Sequence, residues 1–337
     1  MENVVVLVAD SLRYDYVPER IEEDAESDVI PTLAPSLHTP TSFASLFTAR
    51  EANNHRVHDF MEELDPDVRT AFDHFENTSF YDGPGSSINK HIFRSESEEL
   101  GEVEEPFIWI ERLLDTHLPY GRIGHEREFD LDESGKEYVQ RVVEEGTLER
   151  EYEKGTEALE AHFHRHIEEL EERGLLDDTL VVLTSDHGEL LGERFLLRRR
   201  YEHNYPPLRP LVEVPTVFHN SEVDTDAMRL VDVIPTALGI AGKETDLGDG
   251  VDVRDRSVRE GRNLMEDVKA EFDTTWRFDG EHWRPTFGSR LEIGLKTFIG
   301  DLKRFGYRKG YRPLEQKLEE RKEERGGNEE DLEGVDV

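Results

Sequence analysis

The stretches Asn3-Val-Val-Val-Leu-Val-Ala-Asp10 and Thr179-Leu-Val-Val-Leu-Thr-Ser-Asp186-His187-Gly188 decide the reading of this chain. Each is a continuous apolar run that ends on an acid. Short runs of this kind, rich in valine and leucine, suit strands buried on both faces of a parallel sheet. In open α/β sheets, ligands bind outside the carboxyl ends of such strands. Asp10, Asp186 and His187 are therefore expected to meet at one edge. Two carboxylates and an imidazole form a donor set for one divalent cation, with calcium, magnesium, manganese and zinc all chemically admissible.

Further strand-like runs occur at Phe107–Ile110 and Val214–Phe218. Helical periodicity separates them. Leu148, Tyr152, Leu159, Phe163, Ile167 and Leu170 mark one face of a long helix that Gly174 terminates. Met228, Val231, Ile234, Leu238 and Ile240 mark another, with Pro235 as a start or kink. Alternating strands and helices predict an α/β fold with a central, mostly parallel mixed sheet between helices. Residues 1–260 are read as the main catalytic domain. Residues 261–314 are read as a small C-terminal subdomain carrying Trp276, Phe278, Trp283, Phe287, Phe298, Phe305 and Tyr307. The Glu/Lys/Arg/Gly-rich stretch 315–337 reads as a flexible tail.

Composition narrows the partners. The 337 residues include 78 acidic and 41 basic side chains, a net charge of −37, with lysine scarce beside arginine. Such an acidic surface repels itself unless salt screens it, which predicts a salt-adapted protein. It also argues against nucleic acid as a partner. Cysteine is absent, which excludes disulfides, thiolate metal sites and cysteine nucleophiles. No apolar run is long enough for a membrane span, and no signal-like segment precedes Asn3, so a cytoplasmic location is expected.

In His38-Thr39-Pro40-Thr41-Ser42-Phe43, Thr39 fits a helix N-cap and Pro40 the first turn. A hydroxyl there lies among unpaired backbone N–H groups, where a phosphate or sulfate binds well. A neighbouring cation would turn that hydroxyl into a nucleophile. The simpler reading, in which Thr39 only caps, stands beside this one. Arg13, three residues beyond Asp10, is placed to hold an anionic oxygen or to serve as an ion-pair partner. The histidines at 162, 164 and 166 are read as a solvated helix surface, and Asp232 as a cap before Pro235.

Five segments then occur in order: Asp10-Ser-Leu-Arg13, Thr39-Pro-Thr-Ser-Phe-Ala-Ser-Leu-Phe-Thr48, Pro106-Phe-Ile-Trp-Ile with Asp115-Thr-His117-Leu-Pro-Tyr120, Ser185-Asp-His-Gly-Glu189, and Val231-Asp-Val-Ile-Pro-Thr236. Together, over residues 3–250, they resemble the sulfatase branch of the alkaline-phosphatase superfamily. The resemblance implies an alkaline-phosphatase-like sandwich, with Asp10, Asp186 and His187 as metal ligands and Thr39 as metal-bound nucleophile. It implies that His117 contacts the oxyanion ester and that His203 protonates the leaving group.

Two departures shape the expected chemistry. Thr39 stands where sulfatases carry the cysteine or serine that becomes formylglycine, and Phe43 replaces the motif's arginine. Threonine cannot form that aldehyde. The pattern then resembles phosphoglycerol and phosphoethanolamine transferases, which implies phosphate-ester chemistry through a covalent Thr39 intermediate. Sulfate-ester hydrolysis without formylglycine is the alternative. The expected substrate is an anionic ester on a glycan or lipid head group. A catalytically weak binding protein for an anionic glycan or a protein partner is the reading from another class.

Overall fold

The computed structural model describes residues 1–82, 88–121, 133–255, 263–267 and 272–306. The first nine strands are β1 (Asn3–Ala9), β2 (Ile30–Leu33), β3 (Asn77–Tyr81), β4 (Phe107–Leu113), β5 (Thr179–Thr184), β6 (Leu191–Phe195), β7 (Arg198–Tyr201), β8 (Glu213–Phe218) and β9 (Met228–Arg229). Seven of them form one sheet in the order β3-β4-β1-β5-β8-β2-β9. Pairing is parallel from β3 through β5, and β8 runs antiparallel to both β5 and β2. This is the mixed, mostly parallel sheet that the apolar runs predict. β6 and β7 form a separate hairpin.

The central strand shows why its sequence is apolar throughout. Val4, Val6 and Val8 point into one core layer; Val5, Leu7 and Ala9 point into the other. All six are fully buried. Burying each valine or leucine contributes roughly 1.5–3 kcal/mol. The first layer is closed by the helices Thr39–Thr48 and Leu230–Ile240, whose Phe43, Phe47, Val233 and Ile234 lie in it. The second is closed by the helix Leu148–Glu172 through Leu159, Phe163, Ile167 and Leu170. Gly174 follows that helix with φ +70°, the left-handed turn that its stop role requires.

Pro235 sits inside the helix Leu230–Ile240, and Asp232 accepts the Arg229 backbone N–H at the helix start, as a cap does. At the C-terminal side, β10 (Asn263–Asp267), β11 (Phe272–Phe278) and β12 (Trp283–Pro285) form an antiparallel sheet followed by the helix Phe287–Gly306. Trp276, Phe278 and Trp283 join the first core layer, and the Trp283 indole donates to the Pro31 carbonyl at 2.9 Å. This small sheet thus shares the core of the main sheet. Phe287 and Phe298 are exposed rather than packed with those aromatics. The Phe305 side chain, Tyr307 and the tail 315–337 lie outside the described residues.

Candidate active site

β1 and β5 are neighbours, so the residues that follow them are brought side by side. Asp10 and Asp186 are both fully buried there, and Ser11 and His187 complete the two turns. Ser11 adopts φ +69°, an uncommon conformation for a residue with a side chain. Its backbone N–H thereby donates to Asp186 Oδ1 at 3.1 Å, and its hydroxyl donates to Asp10 Oδ1 at 3.0 Å. The turn is fixed from outside. The Tyr152 hydroxyl donates to the Ser11 carbonyl at 2.7 Å and accepts the Arg13 N–H at 3.0 Å. The Thr116 hydroxyl donates to the Asp10 carbonyl at 2.7 Å.

The second turn is equally constrained. Ser185 Oγ donates to the His187 carbonyl at 2.7 Å and accepts the Leu12 N–H at 3.0 Å. Gly188 is required by packing, because a Cβ there would lie 1.9 Å from the Pro210 carbonyl oxygen. The His187 ring places Nδ1 3.0 Å from the Gly188 carbonyl. A carbonyl only accepts, so Nδ1 carries the proton and Nε2 presents a lone pair. That Nε2 is 3.3 Å from Thr39 Oγ1.

Thr39 is the first residue of the helix Thr39–Thr48, and His38 occupies the N-cap position expected for Thr39. Thr39 Oγ1 faces His187 and makes no capping bond. Asp10, Asp186 and His187 each offer one ligand atom, all within 4.8 Å of one another. Asp186 Oδ2 is buried with no hydrogen-bond partner and lies 3.4 Å from His187 Nε2. An unpartnered carboxylate oxygen beside an imidazole lone pair suits a cation. The donors present therefore fit a divalent ion.

Electrostatics separate the two acids. Burial works to raise the Asp10 carboxyl, but Arg112, with His117 and His187, holds it well below the usual carboxylate range. Asp186 is pushed up to about 7 by burial and by the Asp10 charge, which Arg112 offsets only in part. Burial and the facing His203 lower His187 to about 4.

Arg112 is the residue that sequence reasoning missed. Its Nε and Nη2 both donate to Asp10 Oδ2, at 2.8 and 2.6 Å. The available signal was a polar pair, Glu111-Arg112, ending the β4 run as acids end the other two. Glu189, which closes the Ser185-Asp-His-Gly-Glu189 segment, is a second such residue. It is fully buried, with Oε2 3.5 Å from His203 Nδ1. Arg13 departs from the anion-binding expectation. Its guanidinium is held bidentately by Asp15 and by Glu193, and it also approaches the Glu189 carbonyl. It acts as an ion-pair partner, and the guanidinium beside the ligand cluster is Arg112.

His203 and His117 do come to the cluster. The His203 ring centroid is 4.6 Å from that of His187 and 5.9 Å from that of His117. His117 Nδ1 donates to the Leu118 carbonyl at 2.7 Å. Burial opposes protonation of His203, yet Glu189, Asp10 and Asp186 outweigh it and raise the ring to about 9. The reading of the 162–166 histidines as a solvated surface is corrected. His162 and His166 are buried against Glu111, because the helix Leu148–Glu172 packs this flank as well as its apolar stripe. His164 alone turns outward, to Asp24 at 3.1 Å.

Comparison with known proteins agrees with this architecture. Residues 134–243 match the Sulfatase family model. The chain is 29% identical over 329 residues to the low-salt glycan biosynthesis sulfotransferase of Haloferax volcanii, covering 89% of this chain and 79% of that protein. A 2-O GAG sulfatase structure superposes with TM-score 0.58 at 13% identity, covering 99% of this chain and 94% of that one. The phosphonate monoester hydrolase of Agrobacterium radiobacter does so with TM-score 0.57 at 14% identity, covering 94% and 95%. The fold is that of the alkaline-phosphatase superfamily, and the sulfatase-branch resemblance of the sequence is matched by the family model and these neighbours.

Proposed function

We propose that this chain, with its sulfatase-like fold, is a metal-dependent enzyme that transfers or hydrolyses an anionic ester group through a covalent intermediate on Thr39. The observation that carries the reading is the position of Thr39 Oγ1, 3.3 Å from His187 Nε2 and beside the Asp10–Asp186–His187 cluster. Asp10, Asp186, His187 and Thr39 are the residues that would hold the cation. When bound, a divalent cation lowers the pKa of a neighbouring hydroxyl and neutralises ester oxygens.

Thr39 Oγ, its proton released to solvent, attacks the central sulfur or phosphorus, forming a new ester bond there as the bond to the leaving oxygen breaks. His203, held protonated by Glu189, gives its proton to that oxygen. His117 Nε2, with its other nitrogen tied to Leu118, faces the same space and orients the ester. Water or an acceptor hydroxyl then takes the group from Thr39.

The favoured substrate is a sulfate ester of a glycan, supported by the glycan sulfotransferase of Haloferax volcanii that matches 89% of the chain. A phosphate ester is the second reading, supported by the threonine hydroxyl in place of a formylglycine precursor. The test is an assay in high salt of nitrophenyl sulfate, nitrophenyl phosphate and its diester, each with a panel of divalent ions. Cleavage of one ester is expected, with loss of at least about a thousandfold in Thr39→Ala while the fold is kept. Unchanged turnover in Thr39→Ala rejects the nucleophile. A folded chain that cleaves none of the esters and releases no covalently held group favours the binding-protein reading.

A further inference from the structure

On the far face of the sheet, Glu111 of β4 meets His162 and His166 of the helix Leu148–Glu172. The three residues are 4%, 5% and 9% exposed, and one ligand atom from each lies within 4.8 Å of the others. His162 and His166 are four residues apart, so both rings leave one helix face. Their centroids are 5.1 Å apart and nearly parallel, at 28°. His162 Nε2 is 3.5 Å from Glu111 Oε1, and His166 Nε2 is 2.7 Å from Glu111 Oε2.

The cluster is not satisfied by its own hydrogen bonds. Glu111 Oε2 and both ring nitrogens of His166 are buried with no partner in hydrogen-bond geometry, so the short contact between them is out of line. Buried polar groups left this way destabilise the fold, and a bound cation would remove that cost. The outer nitrogen of His162 bonds a further acid, and that of His166 lies near one without bonding it. His162 Nδ1 lies 3.2 Å from Asp115 Oδ2, and His166 Nδ1 lies 3.9 Å from Glu169 Oε2. Imidazoles that turn one nitrogen inward and the other toward a carboxylate have the arrangement that orients metal-ligating histidines.

We propose that Glu111, His162 and His166 form a second metal site, for an ion of the zinc class, distinct from the Asp10–Asp186–His187 cluster. Two neutral imidazoles and one carboxylate are the donor set of such an ion, with one position left for water. The site ties β4 to the helix at a point where the two approach closely. About two turns before His162, Gly155 lets the helix approach the loop that follows β4, since a Cβ there would lie 2.6 Å from the Asp115 carbonyl oxygen. Asp115 orients His162, and its neighbour Thr116 holds the Asp10 carbonyl. The ion is structural, and the proposal is independent of the reaction assigned to Thr39.

The test is zinc binding by the full-length protein in high-salt buffer, measured as metal content after dialysis and by thermal melting with and without zinc. Wild type and Asp186→Asn are expected to retain about one zinc at this site and to melt higher with it. His162→Asn and His166→Gln are expected to lose that zinc and its thermal effect. With cobalt as probe, Asp186→Asn should show a four-coordinate visible absorption band that the double variant Asp186→Asn/His166→Gln lacks. Zinc content unaffected by either histidine substitution overturns the proposal, as does its complete loss in Asp186→Asn. Where the variants fail to fold, zinc titration of histidine-labelled wild type decides. The imidazole nitrogens of His162 and His166 shift on coordination, and unmoved resonances refute the site.

Discussion

Arg112 donates two hydrogen bonds to a single oxygen of Asp10, Oδ2, while Asp10 Oδ1 receives the Ser11 hydroxyl. Asp10 is fully buried and the Arg112 side chain is largely so. Removing one partner of such a pair leaves an uncompensated charge and typically costs about 3–5 kcal/mol. Arg112→Ala is therefore expected to lower the denaturation midpoint markedly, and added manganese to restore part of the loss by supplying positive charge. Urea melts with and without the ion measure both. A variant as stable as wild type in metal-free buffer counts against this pairing as the main compensation for Asp10.

The proton on His203 gives the reaction an alkaline limit. Against its burial, Glu189 and the two aspartates raise the ring to about 9. The acid form thus persists through neutrality and disappears as pH rises through that value. Turnover is expected to hold through neutrality and to decline at alkaline pH. In Glu189→Gln the decline should begin at lower pH. A pH–rate profile whose alkaline limb ignores Glu189→Gln removes His203 from the acid role.

His55 sets an acid limit on stability. Its Nδ1 accepts the Val57 N–H at 3.0 Å, so Nε2 carries the proton and donates to Ser45 Oγ at 2.9 Å. Burial, reinforced by His58 and Arg50, lowers the ring to about 3. The unfolded chain takes up this proton first, near the ordinary histidine value of about 6.5. The folded state's advantage is complete above that pH and is lost as pH falls toward 3, at up to about 1.4 kcal/mol per unit. Urea midpoints at pH 7, 5 and 4 should fall in wild type and fall less steeply in His55→Asn.

Tyr152 holds both sides of the Ser11 turn with its hydroxyl. Tyr152→Phe strands a buried carbonyl and a buried N–H, each worth about 1–3 kcal/mol. A lower melting temperature is expected, together with weaker divalent-ion binding at the Asp10 cluster. Unchanged ion affinity would show that the turn keeps its shape without this support.

Salt is expected to act through the net charge of −37. The screening length falls from about 10 Å at 0.1 M to about 3 Å at 1 M. Melting followed by circular dichroism should therefore move upward from dilute buffer to molar potassium chloride. An equally stable fold in both would show that repulsion is already balanced by the local pairs.

The fold was legible because Asn3–Ala9 and Thr179–Thr184 are apolar on both faces, a pattern that only a buried parallel strand explains. Their terminal acids could be placed together for the same reason. Arg112 was not legible, since nothing in one strand's sequence says which neighbour's carboxylate it reaches. The burial of His162 and His166 was not legible, because the apolar stripe of Leu159, Phe163 and Ile167 marks only part of the buried face. Burial around a long helix is set by what packs on its flanks, here β4, and that pairing is non-local. The N-cap shift from Thr39 to His38 is a displacement of one residue, within the usual uncertainty of helix ends.

β4 separates two charge centres through consecutive residues: Arg112 serves the Asp10 side and Glu111 the histidine side. A strand alternates its faces, so losing one residue upstream would bring Arg112 to the imidazoles, Leu113 to Asp10 and Glu111 into the apolar layer that Ile110 fills. Both centres would then fail together, one by meeting a cation where it gathers donors and the other by losing the guanidinium that balances Asp10. Insertions and deletions within Phe107–Leu113 are thereby closed to this protein, whatever freedom its surface retains.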